Sequence, residues 1–80
     1  MYRSINSRIS YLTALAEELE RLGVPSNYYS LGANRDERTC LLERDGKWLV
    51  YYSERGRMED LREFSTLGDA AAFLVGALTA

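Results

Sequence analysis

Eighty residues make one small domain, 1–80, whose core buries about 60% of the surface that the unfolded chain exposes. A hydrophobic fraction of 46% beside 28% charged residues argues against disorder, and a net charge of −2 with interspersed signs lacks the basic stripe that general nucleic-acid binding needs. No apolar run reaches the ~18 residues of a membrane span, MYRSINSRIS contains no apolar signal segment, and the single cysteine, Cys40, suits a reducing compartment; the chain reads as soluble, unprocessed and cytoplasmic.

From Ile5 to Leu22, the residues Ile5, Ile9, Leu12, Ala16 and Leu19 recur at steps of four and three, with Leu15 and Leu22 widening the stripe. This spacing predicts an amphipathic helix. Ser4 or Asn6 can cap its start. Gly23 stands where the chain turns left-handed, and Pro25 prevents continuation. Asn27 to Leu31 then reads as a short strand, followed by the polar loop GANRDE. Tyr28 and Tyr29 are adjacent, so on a strand they face opposite ways and only one is easily core.

Arg38 to Ser53 is a β-hairpin, two strand-forming runs around Asp45-Gly46. A two-residue turn sets Arg44 opposite Lys47 and Glu43 opposite Trp48. A three-residue turn with Gly46 left-handed sets Glu43 opposite Lys47, Leu42 opposite Trp48 and Cys40 opposite Val50. The first register carries a like-charge pair; the second is preferred because it gathers Cys40, Leu42, Trp48, Val50 and Tyr52 on one face, a cleaner split of apolar from mixed side chains. Thr39, Leu41, Glu43, Lys47, Leu49 and Tyr51 then occupy the other face. After the charged turn SERGRMED, Leu61 to Ser65 can add an edge strand, a helical turn, or a strand interrupted by a bulge.

The last element is a helix from about Leu67 to Leu78. Ser65 or Thr66 caps it, and Thr66 with Asp69 approximates a capping box. Ala70, Phe73, Leu74, Ala77 and Leu78 form its expected core stripe, while Ala72, Val75 and Gly76 leave the reverse side apolar or small. A helix without a charge along its body is usually covered on more than one side, here by the first helix or by a second subunit. The expected fold class is α+β, in the order α-β-β-β-(β)-α, an antiparallel meander with both helices packed on one face.

The chemistry is defined as much by what is missing as by what is present. The chain contains no histidine, which removes the commonest general base and metal ligand. Cys40 lies within a strand run, where a buried structural thiol is the plainer reading than a nucleophile. Six glycines scattered singly form no phosphate-cradling loop. No catalytic residue, cofactor or metal is therefore assigned. Tyrosine and arginine are overrepresented at binding hot spots. Period-2 alternation sends one tyrosine of each pair outward, and these residues together nominate Tyr29, Tyr51, Glu54, Arg55 and Arg57 as a partner-binding set. The competing reading places the outward tyrosines under a loop or beside arginine stems.

These residues also suggest a family. The string NYYSLG, the acidic and arginine-containing segment leading to TCLLE, DGKWLVYYSERG, DLREF and a helix ending AAAFLVGAL resemble small immunity proteins of bacterial polymorphic toxin systems. The resemblance spans about Leu22 to Leu78 and is most distinctive from Trp48 to Gly56. It implies a non-enzymatic cytoplasmic protein that binds one cognate toxin. The alternative is a self-associating protein, a homodimer through its helices.

Overall fold

The structure is a computed structural model that describes residues 2–80, with side chains described from Arg8 onward. Its elements are α1 (Tyr2–Arg21), a short 3-10 turn (Ser26–Tyr28), β1 (Tyr29–Leu31), β2 (Arg38–Arg44), β3 (Lys47–Glu54), β4 (Arg57–Phe64) and α2 (Leu67–Thr79). The class is α+β, with two helices on one four-stranded sheet of order β1-β2-β3-β4. No helix among the described residues is long and apolar enough to cross a membrane.

Helix α1 ends as its sequence dictates. Gly23 has φ +83° and donates to the Glu20 carbonyl, while Val24 N–H returns to the Leu19 carbonyl, so two otherwise orphaned carbonyls are satisfied. Val24 and Leu19 both enter the core behind this cap. At the other end the backbone is already helical at Tyr2, ahead of the expected start at Ile5. The side chains of Ser4, Ile5 and Asn6 lie outside the described residues. Ile9 and Leu22, assigned to the apolar stripe, are exposed; Leu15 and Leu19 are the buried members.

The sheet departs from the expected meander at its first strand. β1 runs parallel to β2, in the register Tyr29 to Thr39, Ser30 to Cys40 and Leu31 to Leu41. Parallel neighbours normally need a long crossover. Here residues 32–37 suffice, because a three-residue strand is only about 10 Å long and the return path is correspondingly short. The result is a mixed sheet.

The hairpin adopts the two-residue register, Arg44 opposite Lys47 and Glu43 opposite Trp48, so the expected three-residue register is displaced by one. Asp45 and Gly46 both have positive φ, 53° and 78°, as a type I′ turn requires. Both Arg44 and Lys47 are exposed, where like-charge repulsion costs at most a few tenths of a kcal/mol to about 1 kcal/mol. Trp48 and Val50 share a face in either register; the two-residue turn sets Leu41 beside them against the helices and turns Cys40 and Leu42 to the opposite face. Arg55 and Gly56 repeat the same turn between β3 and β4.

β4 is longer than the expected edge segment from Leu61 to Ser65. It contains a bulge: Val50 opposes Arg62 but Tyr52 opposes Glu59, which leaves Asp60 and Leu61 across from Tyr51 alone, with Asp60 at φ 57°. The bulge restores the facing of Arg62 and Phe64 toward the helices, where Phe64 meets Phe73 at 5.4 Å between ring centroids.

Both helices pack on the same sheet face, as expected. Their core joins Leu15, Leu19, Ala70, Ala71 and Leu74 to Tyr29, Leu41, Trp48 and Val50. Thr66 caps α2 by accepting from the Asp69 N–H at 3.1 Å. The buried stripe of α2 is rotated relative to expectation. Ala70, Ala71 and Leu74 are buried, with Leu67, Val75 and Leu78 packed beside them, whereas Phe73 and Ala77 are exposed.

Two substitutions test this packing. Leu19→Ala, at a fully buried site, is expected to cost about 3 kcal/mol. Gly46→Ala forces a side chain onto a left-handed residue and costs about 1 kcal/mol. Urea unfolding followed by tryptophan fluorescence should therefore place both midpoints below the parent, Leu19→Ala lower, with unchanged slopes.

Candidate interaction groove

The two sheet faces are roofed differently, and this determines where each nominated residue lies. On the face away from the helices, residues 32–37 fold back over β2 and β3. Ser30 Oγ donates to the Ala33 carbonyl at 2.7 Å, the Tyr51 hydroxyl donates to Asn34 Oδ1 at 2.6 Å, and the Cys40 thiol donates to the Arg35 carbonyl at 3.4 Å. Cys40, Leu49 and Tyr51 form a second small core there, flanked by Leu42 and Met58. Cys40 is a free, buried thiol.

The expectation that Tyr29 and Tyr51 point outward is therefore reversed. Tyr51 is 1% exposed beneath the loop, and Tyr29 is 8% exposed in the main core. Alternation holds on β3, where the outward neighbour is Tyr52 at 38%; Tyr28, at 55%, lies in the 3-10 turn ahead of β1, which starts at Tyr29 and not at the expected Asn27. Glu54, Arg55 and Arg57 remain at the accessible turn between β3 and β4. Arg55 N–H donates to Asp36 Oδ1 at 2.7 Å, and Arg57 pairs with Glu59 at 3.6 Å.

Tyr52 lies on the same face as the helices, yet the helices do not cover it. They roof the half of the face bearing Leu41, Trp48 and Val50. Thr39, opposite Tyr52, and Glu59, on its other side, continue that face as an open shelf. Two adjoining depressions of about 390 and 280 Å³ mark the shelf, sharing Thr39 and Tyr52 as their common floor. The first runs beside Phe73 and Ala77 of α2 toward Asp60 and Arg62; the second runs toward Tyr28, Glu37 and Leu78. The Arg62 guanidinium sits 5.5 Å from the centroid of the Phe73 ring, a cation–π arrangement.

The groove is aromatic within and mostly acidic at the Tyr52 end. Partial burial raises the Tyr52 hydroxyl above its ordinary pKa of 10.0, and the carboxylates of Glu54, Glu37, Asp36 and Glu59 add to that effect. Tyr51 is also raised, first by burial and then by Cys40. Among the described residues, Glu37, Glu54 and Asp60 form no ion pair, and no group of three or more His, Cys, Asp or Glu side chains converges as a metal site.

Tyr28, Tyr52, Phe73 and Glu37 were not in the nominated set. No local signal separates Tyr52 from Tyr51: Tyr52 shares a face with Trp48 and Val50 in either hairpin register, and its exposure follows from where the helices end. Phe73 was hidden because α2 is apolar on all sides. No known protein family, curated protein or solved structure matches the chain.

The different settings of Tyr51 and Tyr52 separate in mutants. Tyr51→Phe removes the donor to Asn34 and is expected to cost about 1 kcal/mol at neutral pH, while Tyr52→Phe is nearly neutral. A phenol whose folded pKa exceeds 10.0 contributes stability that is complete below 10.0 and is lost as pH rises through the folded value. Thermal unfolding across the alkaline range should show the parent losing stability above pH 10.0, and Tyr51→Phe losing less of its own.

Proposed function

We propose that this chain is a non-enzymatic protein-binding module of the cytoplasm, an immunity protein that neutralises a cognate bacterial toxin by steric occlusion. The observation that carries this reading is the open aromatic groove around Tyr52, at the end of the segment from Trp48 to Gly56 in which the resemblance to immunity proteins is concentrated. A surface that leaves Tyr28, Tyr52 and Phe73 accessible beside carboxylates and arginines has the composition of a hot spot with a polar rim.

The residues divide by role. Tyr52 and Tyr28 supply area to be desolvated, and Glu54, Arg55 and Arg57 sit at the turn beside them, where charge governs encounter rate and partner choice more than affinity. Tyr29 and Tyr51 support the fold beneath this surface. In this scheme the partner's active surface is covered, and no bond is made or broken by the chain.

Self-association through the helices is the second reading. It is favoured by the outer face of α2, where Ala72, Phe73, Gly76 and Ala77 are exposed without a charge among them.

Cells expressing the toxin encoded beside this gene test the first reading. Co-expression of the parent chain should protect them. The double variant Tyr28→Ala, Tyr52→Ala should lose protection, since each hot-spot tyrosine contributes about 2 kcal/mol, while its unfolding midpoint stays near the parent's. Protection by the double variant equal to the parent's, or the absence of any neighbouring toxin, counts against the assignment.

A further inference from the structure

Three features of the groove specify the charge of what it holds. First, Glu37 and Glu54 flank Tyr52 from β2's entry and β3's exit, and neither has an ion-pair partner among the described residues. The nearby arginines pair with neither acid among the described residues: Arg38 donates to the Ser26 carbonyl, Arg57 pairs with Glu59, Arg62 lies over Phe73, and Arg55 forms no ion pair. Second, the carbonyl end of α2 borders the same place, since Leu78 lines the depression that contains Tyr28, Tyr52 and Glu37. That helix has no basic residue in its last turn, so the negative end of its dipole is left uncompensated toward the groove. Third, the chain already places one guanidinium over one aromatic ring in this groove, Arg62 on Phe73, while the accessible rings of Tyr52 and Tyr28 have no such partner among the described residues.

We infer that the groove accepts a basic segment of the protein partner, with a lysine or arginine side chain laid on Tyr52 between Glu37 and Glu54, and a neighbouring aliphatic side chain filling the depression beside Ala77. This rests on the protein-binding reading above and specifies its partner's chemistry. A carboxylate at that position meets two unpaired acids and the helix carbonyl end, which is the repulsive half of the selectivity. A neutral segment gains the apolar contact but leaves the charges unanswered.

The test is an NMR titration of the isotope-labelled full chain with three capped heptapeptides: alternating arginine and leucine, the same with glutamate for arginine, and the same with glutamine. At millimolar peptide, the arginine form should shift the amides of Glu37, Thr39, Tyr52 and Glu54, and its affinity should fall as salt is raised. The glutamate form should leave them unmoved, and the glutamine form should bind at least tenfold more weakly. Glu37→Gln with Glu54→Gln, both at accessible positions, should keep the parent's spectrum elsewhere and lose at least tenfold in affinity for the arginine peptide. Shifts on another face, no shifts at millimolar arginine peptide, or equal binding of the glutamine form or by the double variant would overturn the inference. So would the same residues shifting with chain concentration alone, which identifies a second copy as the occupant. Toxin protection retained by the double glutamine variant, together with a silent peptide titration, removes this inference and leaves the protein-binding reading standing. The reverse pattern removes the toxin reading and leaves the basic-segment site.

Discussion

The number of residues in the Asp45-Gly46 turn sets the parity of the hairpin, and parity decides which side chains of β2 join Trp48, Val50 and Tyr52 of β3 on the helix face. With two left-handed residues at the turn, Glu43 lies opposite Trp48 and Leu41 opposite Val50, so Leu41 and not Leu42 reaches the helices. A shift of one residue exchanges the faces of β2 entirely. The second turn, at Arg55-Gly56, propagates the same parity to β4, and the bulge at Asp60-Leu61 then corrects it so that Arg62 and Phe64 face the helices. The aromatic contact between Phe64 and Phe73 depends on this second turn and the bulge together.

Both faces of the sheet are covered, by unlike means. Two helices cover one with apolar side chains. The loop at residues 32–37 covers the other with polar groups, each matched to a buried donor or acceptor: Ala33 to Ser30, Asn34 to Tyr51, Arg35 to Cys40. Among the described residues, no buried side-chain nitrogen or oxygen lacks a hydrogen-bond partner. A small domain gains from such a second core, because one apolar layer at this size leaves little margin. The helices, however, reach across only part of the sheet, and the groove is the uncovered remainder of the helix face with Tyr52 at its centre.

Much of the fold was legible in local signals. Gly23 and Pro25 mark the end of α1, Thr66 and Asp69 mark the start of α2, and Asp45-Gly46 marks the hairpin, because each depends on the chemistry of two or three adjacent residues. The failures have a common cause in what local signals omit. The cleaner split of apolar from mixed side chains points to the wrong hairpin register because both faces of the sheet carry a core, so Leu41 and Tyr51 need burial as much as Trp48 and Val50 do. Assigning Tyr51 to the surface assumed a sheet with one wet face, whereas the loop that buries it was read as a polar connector. The parallel pairing of β1 escaped notice because six residues are shorter than ordinary crossovers. For the groove, alternation on β3 sends one of Tyr51 and Tyr52 to each face, but which is exposed depends on the roofs over those faces, and Tyr28 is exposed by the 3-10 turn that stands where a strand was expected.

Hairpin parity brings Leu41 and Thr39 of β2, and not Leu42 and Cys40, beside Trp48, Val50 and Tyr52, and so sets both the main core and the Thr39–Tyr52 floor of the groove. Short contacts between α-hydrogens across β2 and β3, observed as nuclear Overhauser effects, report that parity without reference to any partner. The two-residue turn predicts such contacts for Glu43 with Trp48, Leu41 with Val50, and Thr39 with Tyr52, the closely spaced pairs of this antiparallel ladder. Contacts linking Leu42 with Trp48 and Cys40 with Val50 would contradict it.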